Sequence, residues 1–320
     1  MEGEGKQPAG GVWHQPVLVE ETLDLLAVRS DGIYVDGTLG SGGHSLRILE
    51  RLGPDGLLLG VDRDPAAVER SRARLSPYSD RCRLVHGNFS DLRALAQRNG
   101  VEAADGVLLD LGVSSEQLAV AERGFSLMRD GPLDMRMDPT GDVTAADIVN
   151  GWAPAELERI LIAYGEERQA RRIVRRIVEV RRRRPLTTTL QLAELVADAK
   201  GGRQGKIHPA TQVFQALRMA VNREAECLAR GLESGLALLK PGGRMAVIAF
   251  HSVEDRAVKQ CFKAHAGFNE SLPGGGVRRR VVAPEVRGVT RKPVIPGEGE
   301  RAGNPRARSA KLRVAERTAA

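Results

Sequence analysis

The chain has 320 residues, 42% of them hydrophobic and only 3% aromatic, and a net charge of +7 with a pI near 9.6. This length accommodates one large domain or two ordinary ones. Three dispersed cysteines without a CxxC pair argue against a disulfide framework or a metal site, so we expect no metal and a reducing, cytoplasmic location. We expect no signal peptide or membrane span, and the basic charge favours an anionic partner such as nucleic acid.

The first third of the chain alternates short apolar runs with helix-compatible segments. Strands are predicted at 33–35, 57–61, 82–86 and 106–111, and the helices between them include 65–75 and 91–98. Repeated strand–helix–strand order predicts a parallel sheet with helices on its faces. The fold class is therefore α/β.

A glycine-rich turn follows the first predicted strand, which ends at Asp36. Its glycines are Gly37, Gly40, Gly42 and Gly43. The turn does not match the dinucleotide pattern G-x-G-x-x-G, because Ser45 occupies the third position. Asp36 would repel a phosphate, whereas Asp62 at the next strand end suits a ribose diol. We therefore predict that Asp36, Asp62, Gly40 and the neighbouring glycines bind S-adenosylmethionine (SAM); a purely structural turn is the alternative.

Two further predicted strand ends carry polar or aromatic residues. Asn88 and Phe89 follow the third strand, and Asp110 follows the fourth. Ligands of open α/β sheets bind beyond the carboxyl ends of the strands, so we expect these residues to cluster with Asp36 and Asp62. Phe89 either lies against an adenine face or belongs to the core.

The strand pattern stops at about residue 114 and resumes with a strand at 245–250. Predicted helices cover 155–164, 168–184, 187–200 and 209–239, and a final edge strand covers 309–315. We interpret 1–13 as a flexible tail, 14–113 and 211–320 as one sheet domain with a mobile loop at 267–303, and 114–210 as an inserted helical domain.

His251 and Glu254 lie directly after the strand predicted at 245–250. A histidine at this edge of the sheet can move a proton, and a glutamate can orient it. The alternative is a helix cap, with Ser252 or Asp255 opening a helix at 256–263. The sequence leaves both open.

The segment 168–184 contains nine arginines and one acidic residue, Glu179. Arginines fill one face of the predicted helix, which favours phosphate binding over an ordinary solvated face. The candidate RNA-binding residues are Arg171, Arg172, Arg175 and Arg176, extended near the C-terminus by Arg306 and Arg308.

Long, irregular motifs extend across most of the chain. They include Asp36-Gly-Thr-Leu-Gly-Ser-Gly-Gly-His-Ser45, Asp110-Leu-Gly-Val-Ser-Ser, Gly131-Pro-Leu-Asp-Met-Arg-Met, Phe250-His-Ser-Val-Glu-Asp-Arg256 and Asn304-Pro-Arg-Ala-Arg-Ser309. In these motifs the chain closely resembles the RsmH/MraW family of bacterial 16S rRNA cytidine N4-methyltransferases. The resemblance implies a Rossmann-like SAM-dependent fold with an inserted helical domain.

The resemblance also implies the reaction and its partners. It implies methylation of the exocyclic N4 of a cytidine in the decoding region of 16S rRNA, within the small ribosomal subunit. By position, the cofactor contacts fall on Gly42, Gly43, His44, Asp62, Phe89, Asp110 and Gln117; His44 and Gln117 follow from the resemblance alone.

The resemblance does not name the catalytic group. Like its family, the chain lacks the Asp/Asn-Pro-Pro-aromatic motif of many amino-methyltransferases and has Asp110-Leu-Gly-Val there. Asp110, His251 and Glu254 are the candidate acceptors of the N4 proton. A SAM enzyme with a protein or DNA acceptor, and a non-catalytic RNA-binding module, remain alternatives.

Overall fold

The structure is a computed structural model that describes residues 16–202, 205, 207–266, 268–271, 277–280 and 285–319, with backbone alone at 268–271 and 277–280. The tail predicted at 1–13 lies outside the described residues. The strands are β1 Ile33–Asp36, β2 Leu57–Asp62, β3 Cys82–His86, β4 Ala104–Asp110, β5 Leu239–Ala249, β6 Phe268–Ser271, β7 Val277–Arg280, β8 Val286–Gly288 and β9 Lys311–Arg317.

Thirteen α-helices and four short 3₁₀ turns connect these strands within the described residues. The helices are α1 Val19–Leu26, α2 Gly43–Arg51, α3 Pro65–Arg74, α4 Leu92–Arg98, α5 Ser115–Ala119, α6 Ala145–Gly151, α7 Pro154–Ala163, α8 Ala170–Arg181, α9 Thr189–Ala199, α10 Thr211–Val221, α11 Glu224–Leu238, α12 Ser252–His265 and α13 Glu298–Gly303. The 3₁₀ turns are Ser76–Tyr78, Phe89–Asp91, Ala121–Arg123 and Pro305–Arg308.

Seven strands form one sheet in the order β3-β2-β1-β4-β5-β9-β8. The first five in this order are parallel, whereas β9 runs antiparallel to β5, and β8 antiparallel to β9. The expected α/β, Rossmann-like sheet is confirmed. Because β1 and β4 are neighbours, the chain order reverses between them, and a crevice opens there at the carboxyl edge.

Alternate residues of each central strand face two different cores. In β4, Leu108 packs on one face with α1 and α2, whereas Val107 and Leu109 pack on the other with α4, α11 and α12. All three side chains are at most 1% exposed. Burial on both faces explains the continuous apolar run in the sequence.

The helical insertion has a hydrophobic core of its own. This core contains side chains of α6, α7, α8 and α9, for example Ile148, Ile160, Ile173 and Leu192, each with no exposed surface. Helix α10 also packs into this core through Val213 and Leu217, although the predicted domain boundary assigns residues from 211 onward to the sheet domain.

Three details of the predicted elements were wrong. The helix predicted at 209–239 is broken, because Arg223 takes a left-handed conformation (φ 50°) between α10 and α11. Strand β9 is internal, because β8 pairs with its outer side. The loop predicted at 267–303 contains the β6–β7 hairpin, β8 and α13 in its described residues.

The segment 123–139, whose role the sequence left unassigned, contacts the sheet part of the chain while its apolar side chains belong to the core of the helical insertion. Arg123 donates to Asp64 of the sheet domain (2.8 Å) and to the carbonyls of Arg136 and Met137. The side chain of Asn222 accepts from Met137 N and donates to the Met135 carbonyl. These buried and partly buried contacts fix the insertion against the cleft described below.

A membrane-spanning helix is not found among the described residues, since none of their helices combines the required length with sufficient apolar character.

The close approach of Gly131 to the backbone of Ala121 gives a stability prediction. A Cβ atom at Gly131 would lie 1.9 Å from the Ala121 carbonyl oxygen, whereas one at Gly151 in α6 would meet nothing within 4 Å. We expect Gly131→Ala to destabilise the protein by about 2 kcal/mol or more in thermal or urea unfolding. Gly151→Ala is the matched control and should be neutral or stabilising; equal effects would contradict the packing.

Candidate active site

A cleft lies at the carboxyl edge of the sheet, where β1, β2 and β4 end. It encloses about 1240 Å³ of empty space, including the part open to solvent. The structure brings together here most of the predicted cofactor residues: Asp36, Gly40, Gly43, His44, Asp62, Phe89, Asp110 and Gln117 all line the cleft. Glu254 and Arg306 line it as well.

Asp36 holds the glycine-rich turn in place. Its carboxylate accepts from Thr38 N (3.1 Å) and from Ser45 Oγ (2.7 Å), and the residue is only 1% exposed. Gly40 and Gly42 take positive φ values of 54° and 74°, which favour glycine. Burial raises the pKa of Asp36 to about 6, so the turn carries a carboxyl group that is costly to ionise without a nearby cation.

Asp62 links the end of β2 to the same turn. One oxygen accepts from Gly40 N (2.7 Å) and the other from Asp64 N (2.8 Å). Burial raises its pKa, and these two N–H donors oppose the shift. Each oxygen retains a lone pair for a second donor, which is what a ribose diol requires.

Gln117 and Phe89 complete this end of the cleft. Gln117 forms a capping box with Ser114, the N-cap residue of α5, and its side-chain amide donates to Asp64 Oδ2 (3.0 Å). Phe89 packs closely against Gly231 of α11, where a Cβ would lie 2.3 Å from the ring. The ring is partly buried and also lines the cleft, so the core and ligand-facing interpretations of Phe89 are compatible.

Asp110 and His44 face each other at the centre of the cleft. His44 Nε2 lies 3.7 Å from Asp110 Oδ2, with side chains 4% and 17% exposed. Asp110 Oδ1 and both imidazole nitrogens form no hydrogen bond in the described structure. Burial raises the pKa of Asp110 to about 6 and lowers that of His44 to about 4. Such unsatisfied buried groups are rare in folded proteins, and they make this pair a candidate functional site.

Arg306, predicted as a surface RNA contact, lies inside the cleft. Its guanidinium carbon is 4.9 Å from the centroid of the Phe250 ring. Burial lowers the pKa of Arg306, and the carboxylates of Asp110, Glu116 and Glu254 oppose the shift. Arg308 lies on the same 3₁₀ turn as Arg306, Pro305–Arg308, and is exposed.

His251 and Glu254 form a capping arrangement at the start of α12. Glu254 accepts from the backbone N–H groups of Phe250 and His251, and His251 Nε2 lies 3.1 Å from Glu254 Oε1. Burial would raise the pKa of Glu254, but the His251 hydrogen bond and the charge of Arg218 lower it overall. The motif is therefore a helix cap, but the N-cap residue is His251 rather than the predicted Ser252 or Asp255, and the helix begins at Ser252 rather than at 256.

Glu224, His251 and Glu254 place potential metal-ligand atoms within 4.8 Å of one another. A cation of the chain already lies among them. Arg218 donates twice to Glu224 (2.7 and 2.6 Å) and lies 3.4 Å from His251 Nε2. The arrangement is an ion-pair network around Arg218.

The four arginines predicted on helix α8 differ in their pairing. All four are exposed. Arg171 donates to Glu158 and Arg176 to Glu179, whereas Arg172 and Arg175 form no ion pair within the part of the chain that the structure describes.

Sequence reasoning missed Asp64 as an organising residue. It is completely buried, caps α3 through Ala66 N, and binds both Gln117 and Arg123. The pair Asp64-Pro65 was the available signal, because aspartate at N-cap followed by proline is typical of a helix start.

The cleft has the properties that SAM requires. Buried carboxyl groups at three strand ends offset the positive charge of its sulfonium and amine, and Asp62 retains acceptor capacity for the ribose hydroxyls. The Rossmann-like sheet and this cleft define a SAM-dependent methyltransferase.

Comparison with known proteins identifies the family. The model of the MraW methylase family matches residues 11–318, and the chain belongs to this family. A Thermomicrobium roseum protein named ribosomal RNA small subunit methyltransferase H is 52% identical over 306 residues, covering 96% of this chain and 94% of the relative. A protein of the same name from Geobacter sulfurreducens is 52% identical over 312 residues, covering 95% and 98%.

The raised pKa of Asp110 predicts a pH-dependent stability effect. Its folded-state pKa of about 6 exceeds the ordinary value of 3.8, so the stabilisation it provides is complete below pH 4 and lost as the pH rises through 6. Asparagine cannot ionise. We expect Asp110→Asn to raise the Tm of the cofactor-free protein by a few degrees at pH 8, reflecting at most about 3 kcal/mol, and by less at pH 5.

Asp198→Asn, at an exposed position of α9, is the control and should show little change at either pH. A loss of stability in Asp110→Asn at pH 8 would mean that the carboxylate is well compensated without ligand.

Proposed function

We propose that this protein methylates the exocyclic N4 of a cytidine in the decoding region of 16S rRNA, with SAM as the methyl donor and the small ribosomal subunit as the context. The observation that carries the proposal is the unsatisfied carboxylate oxygen of Asp110 in a cleft built for SAM. Membership of the MraW methylase family supports the choice of acceptor.

SAM would be held by the glycine-rich turn and by Asp62, with Asp36, Gly42, Gly43, Phe89 and Gln117 completing its surroundings. When bound, SAM supplies an electrophilic methyl group on a sulfonium. Asp62 would accept from the ribose hydroxyls, and its own orientation is fixed by Gly40 N and Asp64 N.

Asp110 is the best candidate to accept the N4 proton. The N4 lone pair is delocalised into the cytosine ring, so a hydrogen-bond acceptor on the amine favours a more tetrahedral, more nucleophilic nitrogen. Asp110 Oδ1 is available to accept, and a pKa of about 6 lets the carboxylate be ionised at neutral pH yet take a proton.

His251 and Glu254 are weaker candidates for this role. The oxygens of Glu254 already accept from Phe250 N, His251 N and the imidazole, and its lowered pKa makes it a poor base. His251 does not line the cleft, unlike Glu254. We infer that these two residues position the start of α12.

The exposed face of α8 is the proposed RNA-binding surface. Arg172 and Arg175 carry charges that no acidic residue of the described structure balances, so phosphates are their natural partners. Arg308 would extend the RNA-binding surface near the cleft. Arg306, which faces Asp110 within the cleft, would act on the target nucleotide itself.

The proposal is tested by methyl transfer from labelled SAM to small subunits purified from cells that lack this modification, followed by nucleoside analysis. Labelled N4-methylcytidine in 16S rRNA is the expected product. Intact SAM binding without label in the RNA would favour another acceptor, such as a protein or a DNA base. Absence of SAM binding would favour a non-catalytic RNA-binding module.

The difference in ion pairing among the four α8 arginines can be tested with two matched double variants. Replacing Arg172 and Arg175 together by glutamine should weaken binding to the RNA substrate about tenfold. The salt dependence of binding should also flatten, by about one unit of slope for each phosphate that is no longer neutralised. Turnover at saturating RNA should be unchanged.

The same double replacement at Arg171 and Arg176 is the control. Its effect should be smaller, because Glu158 and Glu179 already neutralise these side chains. Equal effects of the two double variants would show that RNA does not distinguish between the two pairs of arginines.

A further inference from the structure

We propose that His44 is a positioning residue for Asp110: its neutral imidazole, protonated on Nε2, orients the carboxylate so that Oδ1 faces the amine of the target cytidine. This inference rests on the proposed function and assigns His44 a role beyond the cofactor contact that the family resemblance implies.

The geometry of the pair supports this role. His44 Nε2 lies 3.7 Å from Asp110 Oδ2, which is slightly beyond hydrogen-bond length. Catalytic hydrogen bonds are often long before the substrates bind and shorten in the reacting complex. An N–H directed at Oδ2 leaves Oδ1, which has no other partner in the described structure, as the acceptor for the substrate.

The backbone fixes both members of the pair. His44 is the second residue of α2, shortly after Gly42 in a left-handed conformation (φ 74°). Asp110 ends β4, and its backbone N–H donates to Thr38 Oγ1 (2.6 Å) in the glycine-rich turn. The turn that binds the cofactor therefore also sets the distance between the imidazole and the carboxylate.

The charges around the pair determine its protonation. Asp36, Arg306 and Glu300 face His44. Asp110 faces Arg306 and Glu254. Burial opposes charge on both members, so a neutral imidazole is the form available at neutral pH, and a neutral imidazole carries one N–H only.

Which nitrogen carries that proton decides the role of His44. A proton on Nε2 makes the imidazole a donor to Asp110. A proton on Nδ1 would leave Nε2 without one, and the backbone of Val17, which also interacts with the imidazole, competes as an acceptor for the ring proton. Nε2 would then present a lone pair to the carboxylate and destabilise its ionised form.

The proton balance of the step is simple. The N4 lone pair forms the bond to the methyl carbon, and the sulfur of the donor keeps the electrons of the bond that breaks. One N4–H bond then breaks, its electrons stay on nitrogen, and the proton passes to Asp110 Oδ1. His44 keeps its own proton throughout.

The first test is the tautomer of His44 in the wild-type protein with SAM bound, measured by ¹⁵N NMR of histidine-labelled protein and assigned with His44→Gln. A proton on Nε2 between pH 6 and 8 is expected. A proton on Nδ1, or a doubly protonated ring in this range, would overturn the proposal whatever the activity of the enzyme.

The second test compares two variants. His44→Gln places an amide N–H near the position of Nε2, whereas His44→Leu fills the space without a donor. We expect His44→Gln to retain turnover within about fivefold. His44→Leu should lose about a hundredfold, and the acid limb of its kcat profile should move up by about one pH unit.

SAM affinity and Tm are measured in parallel for both variants. If both variants bind SAM weakly and the acid limb of their kcat profiles matches that of the wild type, His44 is a cofactor contact only and the proposal fails. If wild-type protein transfers no methyl group to small subunits, the proposed function fails, and the tautomer measurement still decides the role of His44.

Discussion

The structure depends on three carboxyl groups, one buried and two partly buried, at neighbouring strand ends. Asp36, Asp62 and Asp110 close β1, β2 and β4, and burial raises the pKa of each. An apolar site of this kind disfavours ionised carboxylates unless donors or cations compensate them. Backbone and hydroxyl donors serve Asp36 and Asp62, whereas Asp110 Oδ1 has no partner in the described structure. The cost of ionising carboxyl groups at this edge of the sheet agrees with the proposed binding of a cationic cofactor and an amine.

The inserted domain contributes to the same cleft through a small set of polar contacts. Asp64 lies at their centre, because it binds Gln117 in the cleft wall and Arg123 at the start of the connecting segment. Glu166, from the turn after α7, accepts from Ser252 and Arg256 of α12. The exposed arginine face of α8 is therefore positioned relative to the cleft by hydrogen bonds between the helical insertion and the sheet part of the chain.

The sequence predicted the parts of the fold that follow from periodic pattern. Parallel strands read as apolar runs, and their ends are marked by aspartates, so the clustering of Asp36, Asp62 and Asp110 followed from topology alone. Resemblance to a family added His44 and Gln117, because a histidine after a glycine turn carries no local signal for a partner on another strand.

Other features depend on tertiary contacts that no local sequence pattern indicates. The left-handed Arg223 interrupts a sequence whose helical pattern continues from α10 into α11. Arg306 was grouped with surface arginines, yet it packs on Phe250 in the cleft, because the position of the C-terminal segment relative to β5 is decided by strand pairing. The role of 123–139 likewise comes from Asp64 and Asn222, both distant in sequence.

Proton exchange on cofactor binding tests the central claim most directly, namely that the buried carboxyl groups are compensated by the cofactor's positive charge. Calorimetric titration with SAM at pH 6, repeated in buffers of different ionisation enthalpy, measures the protons released. We expect proton release at pH 6 that disappears at pH 8, and less release with S-adenosylhomocysteine, which lacks the sulfonium charge. Equal release with both ligands, or none at pH 6, would contradict it.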